Sequence, residues 1–213
     1  MTSHTVKLHN LTLDGNLTMP NFFTREYHNF FTDEMCDAYV SYFEETMDVD
    51  KEEVKKTSIC TGPVRPDGHQ ICGNCNCQRM NPMGFDRFTY LNTQAINLFQ
   101  EAVEQYKTDC QISSHQWPDN YGWEQFRMKR FLCDTGESFG DHVDVTSHDG
   151  AKRFLILMVY LNDNFEEGDT EFPIFGDKIK PEKGKLLLFP PLWTYLHRGN
   201  PPTNGYAKYF LMT

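Results

Sequence analysis

The runs RFLILMVYL, residues 153–161, and KLLLF, residues 185–189, are apolar at odd and even positions alike. Successive side chains of a strand point to opposite faces, so strands of this kind must be covered on both sides. They rule out a single sheet with one solvated face and require a sandwich or a barrel. Three further extended runs, 123–133, 169–175 and 207–212, are set off by Gly, Pro, Asn and Asp, the usual punctuation of short strands.

The first half of the chain has a different period. FFTDEMCDAYVSYFEETM offers a cap at Thr32 or Asp33 and spaces Met35, Tyr39, Tyr42, Phe43 and Thr46 on one face, which predicts a helix over 33–47. Phe88, Leu91, Ala95, Leu98, Ala102 and Tyr106 predict a second over 86–107. Between them, 50–84 is first charged and then dense in Gly, Pro, Asn and Cys, which reads as a long loop. Helices followed by strands imply an α+β fold whose β half is a double-layered roll. With 213 residues and no internal repeat, one domain spanning 1–213 is expected.

Thirty acidic and twenty basic residues leave a net charge of −10, which argues against a nucleic-acid backbone as the ligand. RMKR at 127–130 is the only short basic cluster. No apolar run approaches the roughly 18 residues of a membrane span, and MTSHTVKLHNLTLDG lacks the charged start and apolar stretch of a secretory signal. The expected location is cytoplasmic. There the seven cysteines stay reduced, and the sequons at Asn10 and Asn16 carry no meaning.

The segment GDHVDVTSHDG, 140–150, places His142 and Asp144 at i and i+2. On a strand these side chains share a face and can converge on one point. Taken alone, His-Val-Asp is more often a polar loop than a half-site. His197, which follows the buried run KGKLLLFP, supplies the missing partner: two imidazoles and a carboxylate leave three positions open on a metal, the arrangement of non-haem Fe(II) oxygenases. Asp141, His148 and Asp149 read as ordinary loop residues.

In this order HVD, RFLILMVYLND, EEGDTEFP, IKPEKGKLLLFP, HRGNPP and GYAKYFLM resemble the Fe(II)/2-oxoglutarate dioxygenases of the prolyl 4-hydroxylase type. NFFTDEMCDAYVSYF is similar to that family's opening helix, so the resemblance runs over about 28–213. It implies a double-stranded β-helix (jelly roll, cupin-like) core with the N-terminal helices packed outside. It also implies His142, Asp144 and His197 as iron ligands and Fe(II), 2-oxoglutarate and O2 as cofactors, with ascorbate a candidate accessory. The far carboxylate of 2-oxoglutarate then needs a buried cation, for which Lys208 is the candidate. Lys208 stands eleven residues after His197, later than the family spacing, so an inward Lys208 calls for a bulge or a shifted register.

Three positions depart from the family pattern. Phe139 stands where a tyrosine contacts the co-substrate, Ile156 where a threonine does, and Cys133 where a tyrosine is common. The resemblance therefore implies a more apolar 2-oxoglutarate pocket that depends more on Lys208. Arg153 matches an arginine on the family's substrate side and competes with a solvated reading. Tyr160, Trp193 and Tyr195 are candidates to line the opening, against the commoner fate of aromatic residues as core.

HQICGNCNC sets His69, Cys72, Cys75 and Cys77 close together, with Cys60 upstream. Their spacing could close a tetrahedral zinc site, with a redox or disulfide role and a plain loop as alternatives. The resemblance implies that 60–84, including Arg65 and Arg79, forms a lid over a bound peptide. The leading functional expectation is hydroxylation of a prolyl residue of a peptide or protein, coupled to decarboxylation of 2-oxoglutarate to succinate and CO2. The alternatives are a hydroxylase of a free amino acid or other small molecule, and a catalytically silent, zinc-stabilised binding module.

Overall fold

The computed structural model describes residues 21–49 and 78–213. Its β half is built from two main sheets. The six-stranded sheet has the order β1 (Arg25–Tyr27), β9 (Leu186–Phe189), β5 (Ile156–Tyr160), β12 (Lys208–Met212), β3 (Arg127–Phe131), β2 (Gln78–Met80). The four-stranded sheet runs β4 (Phe139–His142), β10 (His197–Gly199), β7 (Thr170–Phe172), β8 (Asp177–Ile179). A short pair joins β11 (Pro202–Thr203) to β6 (Glu166–Glu167). All pairings are antiparallel.

The fully apolar strands have the role their composition demands. Ile156, Met158 and Tyr160 on β5, with Leu187 and Phe189 on β9, face the interior of the roll alongside Phe172 and Phe210. The alternate residues Leu157, Val159, Leu186 and Leu188 face the other way, into a second core under the helices. Two-sided burial is why these strands show no polar alternation. The strand at 123–133 is shorter than expected, at 127–131, and β1, β2, β4, β6, β8, β10 and β11 lie outside the five expected runs.

Helix α1 covers Asp33–Val49 and α2 covers Thr89–Asp109. Thr32 is the cap, its hydroxyl accepting from Met35 N at 3.2 Å. Phe99 rather than Leu98 is the fully buried residue in the middle of α2. It meets Phe30, Phe31, Trp123 and Phe126 in an aromatic cluster. Glu44 ties α1 to the sheet through Arg130 at 2.6 Å and the Tyr209 hydroxyl at 2.7 Å. Of the expected 50–84 loop, residues 78–80 form edge strand β2 and 82–84 a 3-10 turn. The expected lid otherwise lies outside the described residues, as do the zinc candidates Cys60, His69, Cys72, Cys75 and Cys77, and Arg65. Among the described residues, no helix is long and apolar enough to cross a membrane.

One glycine fastens the two cores together. Gly184 has φ +76°, accepts from Phe30 N and Phe31 N, and donates to Tyr160 O at 2.9 Å. A Cβ there would sit 2.3 Å from the Phe31 carbonyl oxygen. Strain and clash together predict that Gly184→Ala costs about 3 kcal/mol, a fall in Tm of roughly 6–12 °C for a chain of this size. A thermal melt showing less than a 2 °C change would remove Gly184 from this role.

Candidate metal centre and its pocket

The smaller sheet builds the site. β4 and β10 are neighbours, and their register sets His142 opposite His197, with ring centroids 4.1 Å apart. Asp144 does not share a strand with His142, because β4 ends at His142. It reaches the histidines from the turn that follows. That turn is held by Arg153, which donates to the Asp144 carbonyl at 2.8 Å, and by Val145 N, which donates to Pro191 O at 3.3 Å. The expected i, i+2 strand geometry is thus replaced by a strand end and a braced turn. Convergence is nonetheless achieved: one ligand atom from each of the three residues lies within 4.8 Å of the others.

The hydrogen bonds determine which atoms are presented. Nδ1 of His142 lies 2.8 Å from Gly140 O, and Nδ1 of His197 lies 2.9 Å from Tyr195 O. A carbonyl can only accept, so each Nδ1 carries the proton and each Nε2 keeps a free lone pair. Burial, then the neighbouring His197, pushes His142 down to about 4. Burial also lowers His197, against the opposing pull of Asp144. The 3.5 Å approach of His197 Nε2 to Asp144 Oδ2 is therefore not an ion pair. It sets acceptor against acceptor, and Asp144 Oδ2 is buried with no hydrogen-bond partner among the described residues. Two neutral imidazoles and an orphaned carboxylate oxygen suit a divalent cation between them.

The three side chains open onto a cavity of about 40 Å³ whose walls include Phe131, Phe139, Thr170 and Phe189, with Lys208 at its end. That is room for roughly one or two water molecules, so admission of a five-carbon acid requires side chains to shift. Lys208 is 1% exposed, and its Nζ donates to Gly168 O at 2.5 Å. The rings of Phe131, Tyr160 and Phe210 surround it with centroids 5.4 to 5.8 Å away. Burial lowers its pKa to about 7, against the pull of Asp169. No bulge was needed in β12, whose pairing with β3 is unbroken from Lys208 to Met212. The register shift lies beside His197, between His197 and Gly199.

The other sequence candidates are dispersed. Phe139 stacks on His142 at 3.4 Å between centroids, beside the cavity. Ile156 is interior but pairs with Phe189 at the far end of β5 and lines a different groove. Cys133 lies past the end of β3, its thiol donating to Tyr206 O. Neither Ile156 nor Cys133 walls the cavity around Lys208. Tyr160 is fully buried with its hydroxyl on Thr170 at 2.7 Å, and Tyr195 is also core, so neither lines an opening. Trp193 is 79% exposed. Arg153 is braced between Glu124, at 2.8 Å, and the Asp144 carbonyl, which makes it a support of the turn as well as a wall of the larger groove. Arg79 sits on β2 opposite Lys129.

Lys129 and Thr170 wall the cavity but were not singled out from sequence. The RMKR cluster is no surface patch. Its residues alternate, with Arg130 on the helix side bound to Glu44 and Lys129 only 5% exposed inside the roll. Period-two counting puts Lys129 on the same face as Phe131, but it is the pairing of β3 with β12 that makes this face the cavity wall.

Residues 126–213 match the 2OG-Fe(II) oxygenase superfamily. The matched segment contains all three residues of the candidate centre, together with Lys129 and Lys208. Over 81 residues the chain is 33% identical to a protein of Acanthamoeba polyphaga mimivirus named as a prolyl 4-hydroxylase, a match covering 34% of this chain and 32% of that one. The match thus spans about a third of that relative's length. Among solved structures, the viral collagen prolyl hydroxylase of Paramecium Bursaria Chlorella virus-1 superposes with a TM-score of 0.58 at 20% identity, covering 89% of this chain and 93% of that one. A prolyl hydroxylase from Trichoplax adhaerens, in complex with a hypoxia inducible factor peptide fragment, gives 0.59 at 15% identity over 89% and 81%. A Pseudomonas putida prolyl-4-hydroxylase gives 0.54 at 15% identity over 89% and 90%. At these identities the superpositions establish the fold: a double-stranded β-helix with helices packed against its larger sheet. The superfamily implies Fe(II) and 2-oxoglutarate, and the donor set described above suits the iron.

Proposed function

We propose that the protein is an Fe(II)- and 2-oxoglutarate-dependent dioxygenase that hydroxylates a prolyl residue of a peptide or protein. The observation that carries this reading is the buried Asp144 oxygen, without a hydrogen-bond partner among the described residues, facing two neutral histidines a short cavity away from a buried lysine. His142, Asp144 and His197 would hold Fe(II), which supplies O2 activation coupled to decarboxylation of 2-oxoglutarate into succinate and CO2 and to C–H hydroxylation.

The chain's own work is positioning. Gly140 O and Tyr195 O lock the imidazole tautomers, so Nε2 points inward without reorganisation. Lys208 anchors the far carboxylate of the co-substrate, and the bound anion restores the ammonium that burial disfavours. Phe131, Phe139, Phe189 and Phe210 keep bulk water from the reacting bond. The substrate bed is a groove of about 540 Å³ walled by Trp117, Tyr121, Trp123, Phe154 and Arg153. Aromatic-lined grooves suit the extended polyproline conformation, and the buried Trp117 Nε1–H has no hydrogen-bond partner among the described residues. Arg153 joins this groove to the candidate metal centre through the Asp144 carbonyl.

The test is succinate release by the Fe(II)-loaded protein, with and without Pro-rich peptides. Peptide-stimulated turnover is expected. Turnover that ignores peptides but responds to a free amino acid would transfer the reading to a small-molecule hydroxylase, and no succinate under any condition would end it.

The pocket also makes a prediction about Phe139. Phe139→Tyr adds a hydroxyl at the cavity edge, and a hydrogen bond to a charged ligand is worth about 1.5–3 kcal/mol. The variant is expected to bind 2-oxoglutarate about tenfold more tightly in anaerobic titration. Unchanged or weaker binding would show that the Phe139 edge does not face the co-substrate.

A further inference from the structure

The chain carries a net charge of −10, yet arginines gather where the candidate metal centre meets the aromatic groove. Alternate side chains of a strand point the same way, so Arg127, Lys129 and Phe131 share one face of β3. Phe131 belongs to the interior of the roll and Lys129 walls the cavity. Met128, between them, pairs with Met80, and both belong to the core under the helices. Arg127 is therefore on the cavity face, opposite Met212, which also walls the cavity. Arg79 precedes Met80 and pairs with Lys129, which brings it to the same face at the open edge of the sheet.

A third guanidinium arrives from the groove. Arg153 donates to the Asp144 carbonyl at 2.8 Å, and its Nε meets one oxygen of Glu124 at 2.8 Å while Nη2 of Arg127 meets the other. Glu124 and Arg153 both wall the groove. Arg127 feels every charge in this rim: burial lowers its pKa, Arg153 and Arg79 push the same way, and Glu124 and Asp144 oppose them. Guanidiniums stay protonated in proteins, so the three repel one another around a single shared carboxylate, Glu124. The Asp144 carboxylate is turned toward the histidines instead. Among the described residues, the arginine ion pairs are those of Arg87, Arg127, Arg130, Arg153 and Arg198, which leaves the fork of Arg79 open.

We propose that Arg79, with Arg127 and Arg153 behind it, forms an anion site at the mouth of the cavity, and that the substrate presents a carboxylate to it close to the target C–H bond. This specifies the substrate of the proposed function, on which it rests. One open fork suits one carboxylate, held by two parallel hydrogen bonds. Two sources share that chemistry: an acidic side chain beside the prolyl residue, and the α-carboxylate of a chain end. Arg153 ties the site to the turn that carries Asp144, so an anion held here fixes the substrate relative to the candidate metal centre and orients the bond to be attacked.

The experiment is anaerobic calorimetric titration of the protein, with Fe(II) and 2-oxoglutarate present, using three Pro-rich peptides of otherwise identical sequence. One has Glu beside the proline and an amidated end, one has Gln there and an amidated end, and one has Gln and a free carboxylate at a chain end next to the proline. In the wild type a carboxylate is expected to tighten binding about tenfold over the amide, the low end for a charged hydrogen bond because the rim is part-exposed. Added salt should shrink the ratio. The carboxylate peptide that shows the gain identifies the source. In Arg79→Met the ratio is expected to fall to near one, and in Arg79→Lys to survive in part. The ratio compares two peptides on one protein, so a merely structural arginine leaves it unmoved. A wild-type ratio within twofold overturns the anion site, as does a tenfold ratio that persists in Arg79→Met, or no measurable binding of any peptide. A carboxylate preference without succinate release upholds the anion site and ends the proposed hydroxylase; peptide-stimulated succinate without the preference does the reverse.

Discussion

Asp144→Ala is expected to abolish Fe(II) binding and succinate production, and at the same time to make the metal-free protein more stable. The first effect follows from removing the only carboxylate in the cluster. Disturbing an outer partner of a ligand costs about 10–100-fold in metal affinity, and removing the ligand itself should exceed that. The second follows from the geometry. Asp144 Oδ2 is buried, has no hydrogen-bond partner among the described residues, and faces the His197 Nε2 lone pair at 3.5 Å. A buried acceptor without a donor costs about 1–3 kcal/mol, so its removal should raise the apo melting temperature by roughly 2–4 °C for each kcal/mol relieved. Added Fe(II) should raise the wild-type melting temperature and leave the variant's unchanged. Iron stoichiometry near one in Asp144→Ala would refute the ligand assignment. An apo melting temperature that falls would instead mean that the carboxylate has a structural partner.

Lys208→Met is expected to separate co-substrate binding from metal binding. A carboxylate brought into this pocket without its ammonium is a buried charge left alone, a loss of about 3–5 kcal/mol, or roughly 100- to 1000-fold and more in Kd. Fe(II) affinity should survive, because Lys208 donates to Gly168 O and touches none of the three candidate ligands. The same residue predicts a pH effect in the free protein. Burial lowers Lys208 to about 7 in the folded state, whereas an unfolded lysine titrates near 10.4. Between those values the unfolded chain binds more protons, so stability rises with pH across that window. The burial penalty is fully present below about pH 7 and relieved above it. Denaturant titrations from pH 7 to 10 should show this rise in the wild type and lose it in Lys208→Met; a rise of equal size in both would assign it to other groups.

Much of this arrangement can be traced to local patterns. The two-sided apolar runs required a covered sheet, and β5 and β9 are its centre, with the roll interior on one face and the helical core on the other. The apolar stripes of α1 and α2 predict helices whose bounds lie within three residues of the observed ones, because periodicity marks the buried face and not the fraying end. His142, Asp144, His197 and Lys208 were nominated by residue type and order along the chain, and the fold brings all four to one cavity.

The sequence by itself determined the layers, the helix faces and the residue types of the candidate centre, since each depends on the period and identity of neighbouring residues. Tertiary structure alone decided three matters. It showed that Asp144 arrives from a turn braced by Arg153 rather than from a strand. It located the register shift beside His197, which leaves Lys208 pointing inward from an unbroken β12. It drew Lys129 out of an apparent surface patch and into the site. All three depend on pairings between segments tens of residues apart, where a one-residue change of register reverses the face that every side chain occupies. No local window of sequence carries that information.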